Sequence, residues 1–122
     1  MSYKVTKRLE VAGAHKLDLP YRSKCSYFHG HNWIIKVTME SEELTEYGMV
    51  MDFTHIKRLI HDPLDHRNLN DIFDFNPTAE NIAYWIHKQL TGEFDGINVV
   101  CTKVEVEESP NNTAIYEIGG AI

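Results

Sequence analysis

Hydrophobic and polar side chains alternate in two segments of the first third of the chain, which is the pattern of a β-strand with one buried face. The apolar positions are Tyr3, Val5, Leu9 and Val11 in the first segment, and Trp33, Ile35, Val37 and Met39 in the second. This alternation predicts a first strand that ends before Gly13 and a second strand from His31 to Glu40. The stretch between them, from Gly13 to Ser26, has no regular period and is predicted to be a long loop.

Helical spacing replaces the alternation in the middle of the chain. Asp52 is expected to cap a first helix, and Pro63 is expected to end it. Asn76-Pro77-Thr78 is a start signal for a second helix, and Gly92 suits its C-terminal cap. The apolar stripes behind these predictions are Phe53, Ile56, Leu59 and Ile60 in the first helix, and Ala79, Ile82, Ala83, Ile86 and Leu90 in the second.

The last third of the chain predicts a β-hairpin. One strand is expected to bury Val100, Val104 and Val106, and Pro110-Asn111-Asn112 marks the turn into a second alternating segment. The order of elements is strand, strand, helix, helix, strand, strand, with no internal repeat or linker. We therefore predict one α+β domain over residues 1–122, a four-stranded antiparallel sheet with two helices on one face.

Composition and charge narrow the possible partners. The formal net charge is −6 and no Lys/Arg cluster occurs, which argues against nucleic acid or an anionic membrane as the partner. Residues Met1 to Glu10 alternate and do not form a signal peptide, so a cytoplasmic location is expected. Without a secretion signal, Cys25 and Cys101 are expected to be free thiols.

A histidine pair is the first candidate for chemistry. His29 and His31 are two residues apart, and in an extended segment such side chains point to the same face. His15 follows the first predicted strand, and an antiparallel neighbour could bring it beside the pair. Three neutral imidazoles suit zinc and leave a fourth position open for water or substrate, as in catalytic zinc sites.

Three further groups have a functional and a structural interpretation. Near a metal, Cys25 would be a thiolate base, and elsewhere it would be a buried structural cysteine. Asp65 and His66 form either a general acid–base unit or an ordinary loop pair. Glu108 shares the parity of the apolar face of its strand and would need a partner there, unless a bulge turns it outward in favour of Glu107.

The other histidines and the second cysteine receive no functional role from the sequence. His55, His61 and His87 lie on predicted helices, where surface or boundary positions are ordinary. Cys101 lies within a predicted strand and has no histidine near it in sequence.

The motifs that carry a family resemblance are Gly13-Ala14-His15, Cys25-x-x-x-His29-Gly30-His31, Val50-Met51-Asp52-Phe53, Leu64-Asp65-His66-x-x-Leu69-Asn70, Pro77-Thr78-x-Glu80-Asn81 and Glu108. Together and in this order they resemble the 6-pyruvoyl-tetrahydropterin synthase and 6-carboxy-tetrahydropterin synthase family. The resemblance spans nearly the whole chain. It implies a zinc ion held by His15, His29 and His31, and the tunnelling fold, in which trimers close a barrel and stack into a homohexamer.

The resemblance also implies roles for the remaining candidates. Cys25 matches the catalytic base, and Asp65 and His66 match its acid–base partners. Glu108 matches a carboxylate that anchors the pterin ring, and Thr78 falls where the family places a threonine beside the pterin.

The short spacing between Cys25 and His29 resembles the bacterial 6-carboxy branch of the family, which serves queuosine (preQ0) precursor synthesis. That branch converts 7,8-dihydroneopterin triphosphate to 6-carboxy-5,6,7,8-tetrahydropterin, acetaldehyde and triphosphate. The alternatives are the 6-pyruvoyl activity, which eliminates triphosphate without cleaving the side chain, a non-catalytic zinc or pterin-binding protein, and a metal-free aldolase of the same broad fold.

Overall fold

Two long antiparallel strands form the centre of the molecule, which is a computed structural model that describes residues 1–119. Strand β1 (Tyr3–His15) pairs with β2 (His29–Ser41) along its whole length, with Tyr3 opposite Ser41 and His15 opposite His29. Residues 120–122 of the predicted domain lie outside the described part of the chain.

The first strand is longer than its sequence pattern predicts. Residues Gly13, Ala14 and His15 belong to β1, so the expectation of a loop that begins at Gly13 was wrong. Glycine and alanine hide the alternation because neither adds an obvious apolar side chain. A small residue is also what the packing requires, since a Cβ atom on Gly13 would lie 3.4 Å from the side chain of Leu69.

The described residues form a six-stranded sheet, two strands more than predicted. Strand β5 (Ile97–Ser109) pairs with β2 on one side and with β6 (Asn112–Glu117) on the other, across the predicted turn. The additional strands are β3 (Arg67–Asn68), which runs parallel to β1, and β4 (Gly92–Phe94), which pairs with the start of β5. Strands of two or three residues are too short to show a period, and for this reason the sequence pattern does not reveal them.

The first helical region is continuous through Pro63, which was expected to end it. It consists of α1 (Phe53–Ile56), a π-helical turn (Lys57–His61) and α2 (Asp62–Leu64), with Asp52 as the N-cap. The N–H of Asp62 bonds to the carbonyl of Lys57, which is the wider spacing of a π turn. Because proline lacks an N–H and crowds the preceding turn, a wider turn directly before it allows the helix to reach Leu64.

Two more helices follow within residues 1–119. The predicted second helix is α4 (Ala79–Leu90), capped by Thr78 and followed by Gly92 in the left-handed region at φ 156°. A short helix that was not predicted, α3 (Leu69–Ile72), precedes it, with Asn68 as its N-cap. The α+β class was therefore predicted correctly, and the numbers of strands and helices were too low.

One buried cluster joins the inner face of the sheet to the helices. Its largest fully buried side chains are Trp33, Ile35, Met39, Ile56, Ile60, Leu64, Leu69, Ile82, Ile86 and Leu90. The apolar faces that the sequence predicts for the strands and helices therefore pack together in this core. Within residues 1–119, no helix is both long enough and apolar enough to cross a bilayer.

A bulge in β5 changes which side chains face this core. The pairing with β2 shifts between Thr38 and Met39, so that Thr102 has no opposite residue. Beyond the bulge the parity reverses: Cys101 is fully buried and Val100 is 37% exposed, although Val100 was expected to be buried with Val104. Burial raises the pKa of the Cys101 thiol to about 11, which fits the structural role expected for it.

The bulge leads to a prediction about two valines in one strand. Val104→Ala should lower the free energy of unfolding by about 2 kcal/mol, because it removes buried methyl groups and leaves a cavity. Val100→Ala should cost less than about 1 kcal/mol, since that side chain is partly exposed. Urea unfolding of both variants measures the difference. Equal costs at the two positions would contradict the reversed parity.

Candidate metal centre and active site

The pairing of β1 with β2 brings three histidines together at one end of the sheet. His15 lies directly opposite His29, and His31 follows on the same face of β2. The imidazole centroid of His15 lies 4.5 Å from that of His29 and 5.2 Å from that of His31. The centroids of the His29 and His31 rings are 4.8 Å apart. The three residues that were expected to form a metal site are therefore adjacent.

Backbone carbonyls orient two of the rings. The Nδ1 atom of His15 lies 2.7 Å from the carbonyl oxygen of Pro77, and Nδ1 of His29 lies 2.8 Å from that of Tyr27. A carbonyl only accepts, so each Nδ1 donates a proton, and a neutral imidazole held in this way carries its lone pair on Nε2. An imidazole held by an N–H to carbonyl bond is the usual arrangement of a histidine that binds a metal through its other nitrogen.

Two of the imidazole nitrogens are buried without a partner. Within residues 1–119, Nε2 of His15 and Nε2 of His31 have no hydrogen bond. Burial is the main cause that lowers the pKa of both imidazoles, so both rings are neutral at neutral pH. Buried nitrogens that converge without a hydrogen bond among the described residues fit a cation.

Glu108 supplies a carboxylate to the same cluster. Its oxygens lie 3.4 Å from Nε2 of His31 and 3.9 Å from Nε2 of His15. The pairing of β5 with β6 shifts between Glu107 and Ser109, and Glu108 at this bulge keeps the inward parity of Val104 and Val106 that the sequence predicts. The alternative in which Glu107 takes this place is not what the structure shows, since Glu108 faces the histidines. The ligand atoms of the four residues lie within 4.8 Å of one another, close enough to hold one metal ion.

Trp33 forms a rigid support behind the histidines. Its ring packs edge-on at 4.9 Å from His15 and 5.3 Å from His31, and its Nε1 donates to the carbonyl of Gly13 at 3.2 Å. The tryptophan is 1% exposed. The rings are thus held from behind by packing and from the side by backbone carbonyls, which fixes their direction.

The Asp65–His66 pair is attached to the same strand by backbone hydrogen bonds. Oδ1 of Asp65 accepts the N–H of Ala12 at 2.9 Å, and the N–H of His66 donates to the carbonyl of Ala12 at 2.7 Å. The bond from the Ala12 N–H is the main cause that lowers the pKa of Asp65. His66 adopts a left-handed backbone at φ 56°, its side chain is 83% exposed, and its Nε2 lies 3.6 Å from Oδ2 of Asp65.

An open cavity lies beside the Asp65–His66 pair. A space of about 520 Å³ is lined by His66, Arg67 and Asn68 and by residues of β1 and β2 that include His31. Ala12, Ala14, Gly30 and Asn32 alternate along the strands with the residues of the histidine cluster, so most of this cavity lies on the opposite face of the sheet. Its position is a consequence of β3, which returns the chain to the edge of β1 immediately after His66.

Cys25 and Thr78 lie on segments next to the cluster. Cys25 is half-buried in a 3-10 turn (Lys24–Ser26), where its carbonyl accepts the N–H of Leu17 at 2.6 Å. Among the described residues, its thiol makes no hydrogen bond with the histidines or with the Asp65–His66 pair. The hydroxyl of Thr78 accepts the N–H of Asn81 at 3.1 Å as the cap of α4, directly after the Pro77 carbonyl that orients His15.

Three contributors to this site were missed by sequence reasoning. The carbonyls of Pro77 and Tyr27 hold the histidines, and a backbone group leaves no signal in the residue type. His61 lies 3.7 Å from Oδ2 of Asp65 and received no role. Its signal was available in the spacing, because residues four apart near a helix end share a face.

Comparison with known proteins agrees with this arrangement. The chain matches the family model described as 6-pyruvoyl tetrahydropterin synthase over residues 4–119. It is 29% identical to the 6-carboxy-5,6,7,8-tetrahydropterin synthase of Bacillus subtilis (strain 168), over 94% of this chain and 85% of that protein. It is 35% identical to the dihydroneopterin monophosphate aldolase of Pyrococcus furiosus, over 79% of this chain and 82% of that protein.

A solved structure extends the likeness to the fold. The 6-pyruvoyl tetrahydropterin synthase of Caenorhabditis elegans aligns with a TM-score of 0.75 and 28% identity, covering 98% of this chain and 97% of that one. The resemblance read from the sequence motifs is thereby confirmed. The chain belongs to the 6-pyruvoyl tetrahydropterin synthase family.

Proposed function

We propose that this protein is a zinc-dependent 6-carboxy-5,6,7,8-tetrahydropterin synthase that serves queuosine (preQ0) biosynthesis. With water, it would convert 7,8-dihydroneopterin triphosphate to 6-carboxytetrahydropterin, acetaldehyde and triphosphate. The observation that carries the proposal is the cluster of His15, His29, His31 and Glu108, in which Nε2 of His15 and of His31 are buried without a hydrogen-bond partner among residues 1–119. The likeness to the Bacillus subtilis enzyme supports the choice of product.

The donor set favours zinc among the common metals. Imidazole nitrogens with one carboxylate oxygen are usual zinc ligands, whereas calcium and magnesium prefer oxygen alone. We propose His15, His29 and His31 as the ligands. A bound zinc ion would supply Lewis acidity, which makes protons on substrate carbon and oxygen easier to remove.

The residues of the chain then divide the proton transfers. Cys25 as thiolate would take a proton from the substrate side chain, which allows triphosphate to leave by elimination. His66, with its imidazole exposed to the cavity, would return protons during tautomerisation and carbon–carbon cleavage. Asp65 is fixed by the Ala12 N–H and would keep His66 in its charged form after proton uptake.

Glu108 and Thr78 would bind the pterin. A carboxylate matches the amino and N–H edge of the ring, and the Thr78 hydroxyl can still donate while it caps α4. The 3.4 Å distance from Glu108 to Nε2 of His31 favours a second candidate role, in which the carboxylate closes the metal coordination before substrate arrives. The two roles differ in the metal content of a Glu108 variant.

We also propose a homohexamer built as a dimer of trimers. Strand β6 pairs only with β5 and leaves its other edge open in the described chain, and β1 pairs with β3 at only two residues on its outer side. Open edges favour pairing with further strands. The 83% exposure of His66 fits a site that a neighbouring subunit would cover.

The first prediction concerns the products. Incubation with 7,8-dihydroneopterin triphosphate should release acetaldehyde and triphosphate in equal amounts, measured by mass spectrometry of the pterin and by trapping of the aldehyde as a hydrazone. Triphosphate without acetaldehyde would assign the 6-pyruvoyl activity. Side-chain cleavage without free triphosphate would assign an aldolase, the activity named for the Pyrococcus furiosus relative. Tight pterin binding with no product would identify a binding protein.

The second prediction concerns the metal. Purified protein should contain about one zinc per chain, and His31→Ala should lose it because one of only three imidazole ligands is removed. His66 lines a cavity with His31 but is not a proposed ligand, so the His66→Ala variant should retain its zinc. Elemental analysis of both variants makes the comparison. Full turnover after exhaustive chelation would remove zinc from the mechanism.

The third prediction separates chemistry from binding. Cys25→Ala should abolish proton abstraction and leave zinc content and pterin affinity nearly intact. Glu108→Gln should weaken pterin binding about tenfold or more, because a charge-assisted hydrogen-bond pair contributes ~1.5–3 kcal/mol. Zinc stoichiometry, pterin dissociation constant and triphosphate release are measured for each variant. Loss of zinc from Cys25→Ala would make the cysteine a ligand, and loss of zinc from Glu108→Gln would assign the carboxylate to the metal.

A further inference from the structure

The carboxylate of Asp65 faces two imidazoles. Its Oδ1 is occupied by the N–H of Ala12 at 2.9 Å, so Oδ2 is the oxygen available to side chains. Oδ2 lies 3.6 Å from Nε2 of His66 and 3.7 Å from Nε2 of His61. One carboxylate oxygen is therefore within ion-pair distance of two histidines from different segments of the chain.

The helix that precedes Asp65 sets the position of His61. His61 is the last residue of the π-helical turn, and its carbonyl accepts the N–H of Asp65 at 2.9 Å. Residues four apart along a helix lie on the same face. The helix therefore brings His61 close to Asp65, which is its C-cap residue, whereas His66 lies beyond the helix end.

The two histidines differ in how firmly they are held. His61 has a second partner, with its Nδ1 3.4 Å from Oδ1 of Asp62, and Asp62 is bound by Nζ of Lys57 at 2.9 Å. Its side chain is 26% exposed, against 83% for His66. His61 is held between two carboxylates on a helix, and His66 projects into the open cavity.

We propose that His61 is a positioning residue of the acid–base unit, which holds Oδ2 of Asp65 in place when the His66 imidazole turns to the substrate. The inference rests on the proposed function, because that function assigns proton transfer to His66. His61 itself does not touch the reacting atoms. Its effect on the reaction passes through Asp65.

The charged groups around His61 determine how this residue affects the protonation of His66. Asp62 and Asp65 face the imidazole from its own helix and its end, with Lys57 one turn earlier. From β1, Lys7 and Glu10 line the same cavity of about 330 Å³ as His61 and carry opposite charges. The main consequence is competition, because a proton on His61 draws on the same oxygen that supports a proton on His66.

His61→Gln removes this competitor while preserving most of the side-chain volume. The charged form of His66 should then persist to higher pH, so the basic limb of the kcat profile should move up by about half a pH unit. The value of kcat should also fall by about tenfold, a fraction of the ~10²–10⁴ that a positioned acid–base group contributes. KM should stay unchanged, since His61 does not contact the substrate.

His55→Gln is the matched control. His55 is on α1 of the same helical region and also pairs with an aspartate, Asp95, at 2.9 Å, but away from the cavity that His66 lines. Its kcat profile should match that of the wild type. A His61→Gln enzyme whose kcat falls with no displacement of the profile would show a merely structural effect and overturn the inference.

A measurement on the unaltered protein keeps the inference testable if a variant folds poorly or the proposed reaction is wrong. The imidazole carbon-bound protons of His61 and His66 are followed by NMR as the pH changes. Because both imidazoles lie within ion-pair distance of one carboxylate oxygen, the resonance of each should also respond when the other titrates. Independent single-step curves would overturn the inference whatever reaction the enzyme catalyses, and absence of turnover with coupled curves would count against the proposed function alone.

Discussion

The register between β1 and β2 is the constraint on which the site depends. His15 reaches His29 because these residues are opposite each other in the antiparallel ladder, and His31 joins them because it is two residues further on one strand. A shift of one residue would turn every side chain of one strand to the other face. The register is fixed by the core, since the same parity buries Val11, Trp33 and Ile35 at 1% exposure each. Hydrophobic packing thus determines the geometry of a polar site.

The rigid part of the site and its exposed part are connected through the backbone of β1. The Ala12 N–H and carbonyl hold Asp65 and His66, and the next residue along the strand, Gly13, receives the hydrogen bond from the Trp33 indole. The support of the imidazole cluster and the acid–base pair are therefore both hydrogen-bonded to the same short segment of β1, Ala12 and Gly13. A displacement of that segment would move both groups together, and their separation would change little.

Sequence periodicity predicted the large elements because each of them buries a continuous apolar stripe. The stripe of α4 from Ala79 to Leu90 and the alternation around Trp33 are long enough to be unambiguous. Periodicity could not reveal β3 or α3, because segments of four or fewer residues are too short to show a period. The parity of β5 failed at Val100 because a bulge at Thr102 depends on how two strands meet, which neither strand encodes alone.

The candidate residues of the site were foreseen more completely than their connections. The histidines, Asp65, His66 and Glu108 were all identified from residue type and spacing, and the structure places the histidines and Glu108 in one cluster. The carbonyls of Pro77 and Tyr27 that aim two of the rings were invisible, since any residue carries a carbonyl. The approach of His61 to Asp65 was also missed, because Pro63 was expected to end the helix before Asp65 although the four-residue spacing was visible.

The bulge that carries Glu108 has a consequence for how such a site can change over evolution. The histidines are fixed by a regular ladder and a packed core, but Glu108 is at an irregular position next to a tight turn between β5 and β6. Insertions and substitutions in that turn can move the carboxylate without disturbing the ladder or the ring orientations. The positions of the imidazoles and of Glu108 therefore depend on different parts of the fold. Sequence changes in the turn can alter the carboxylate while the histidine cluster is retained.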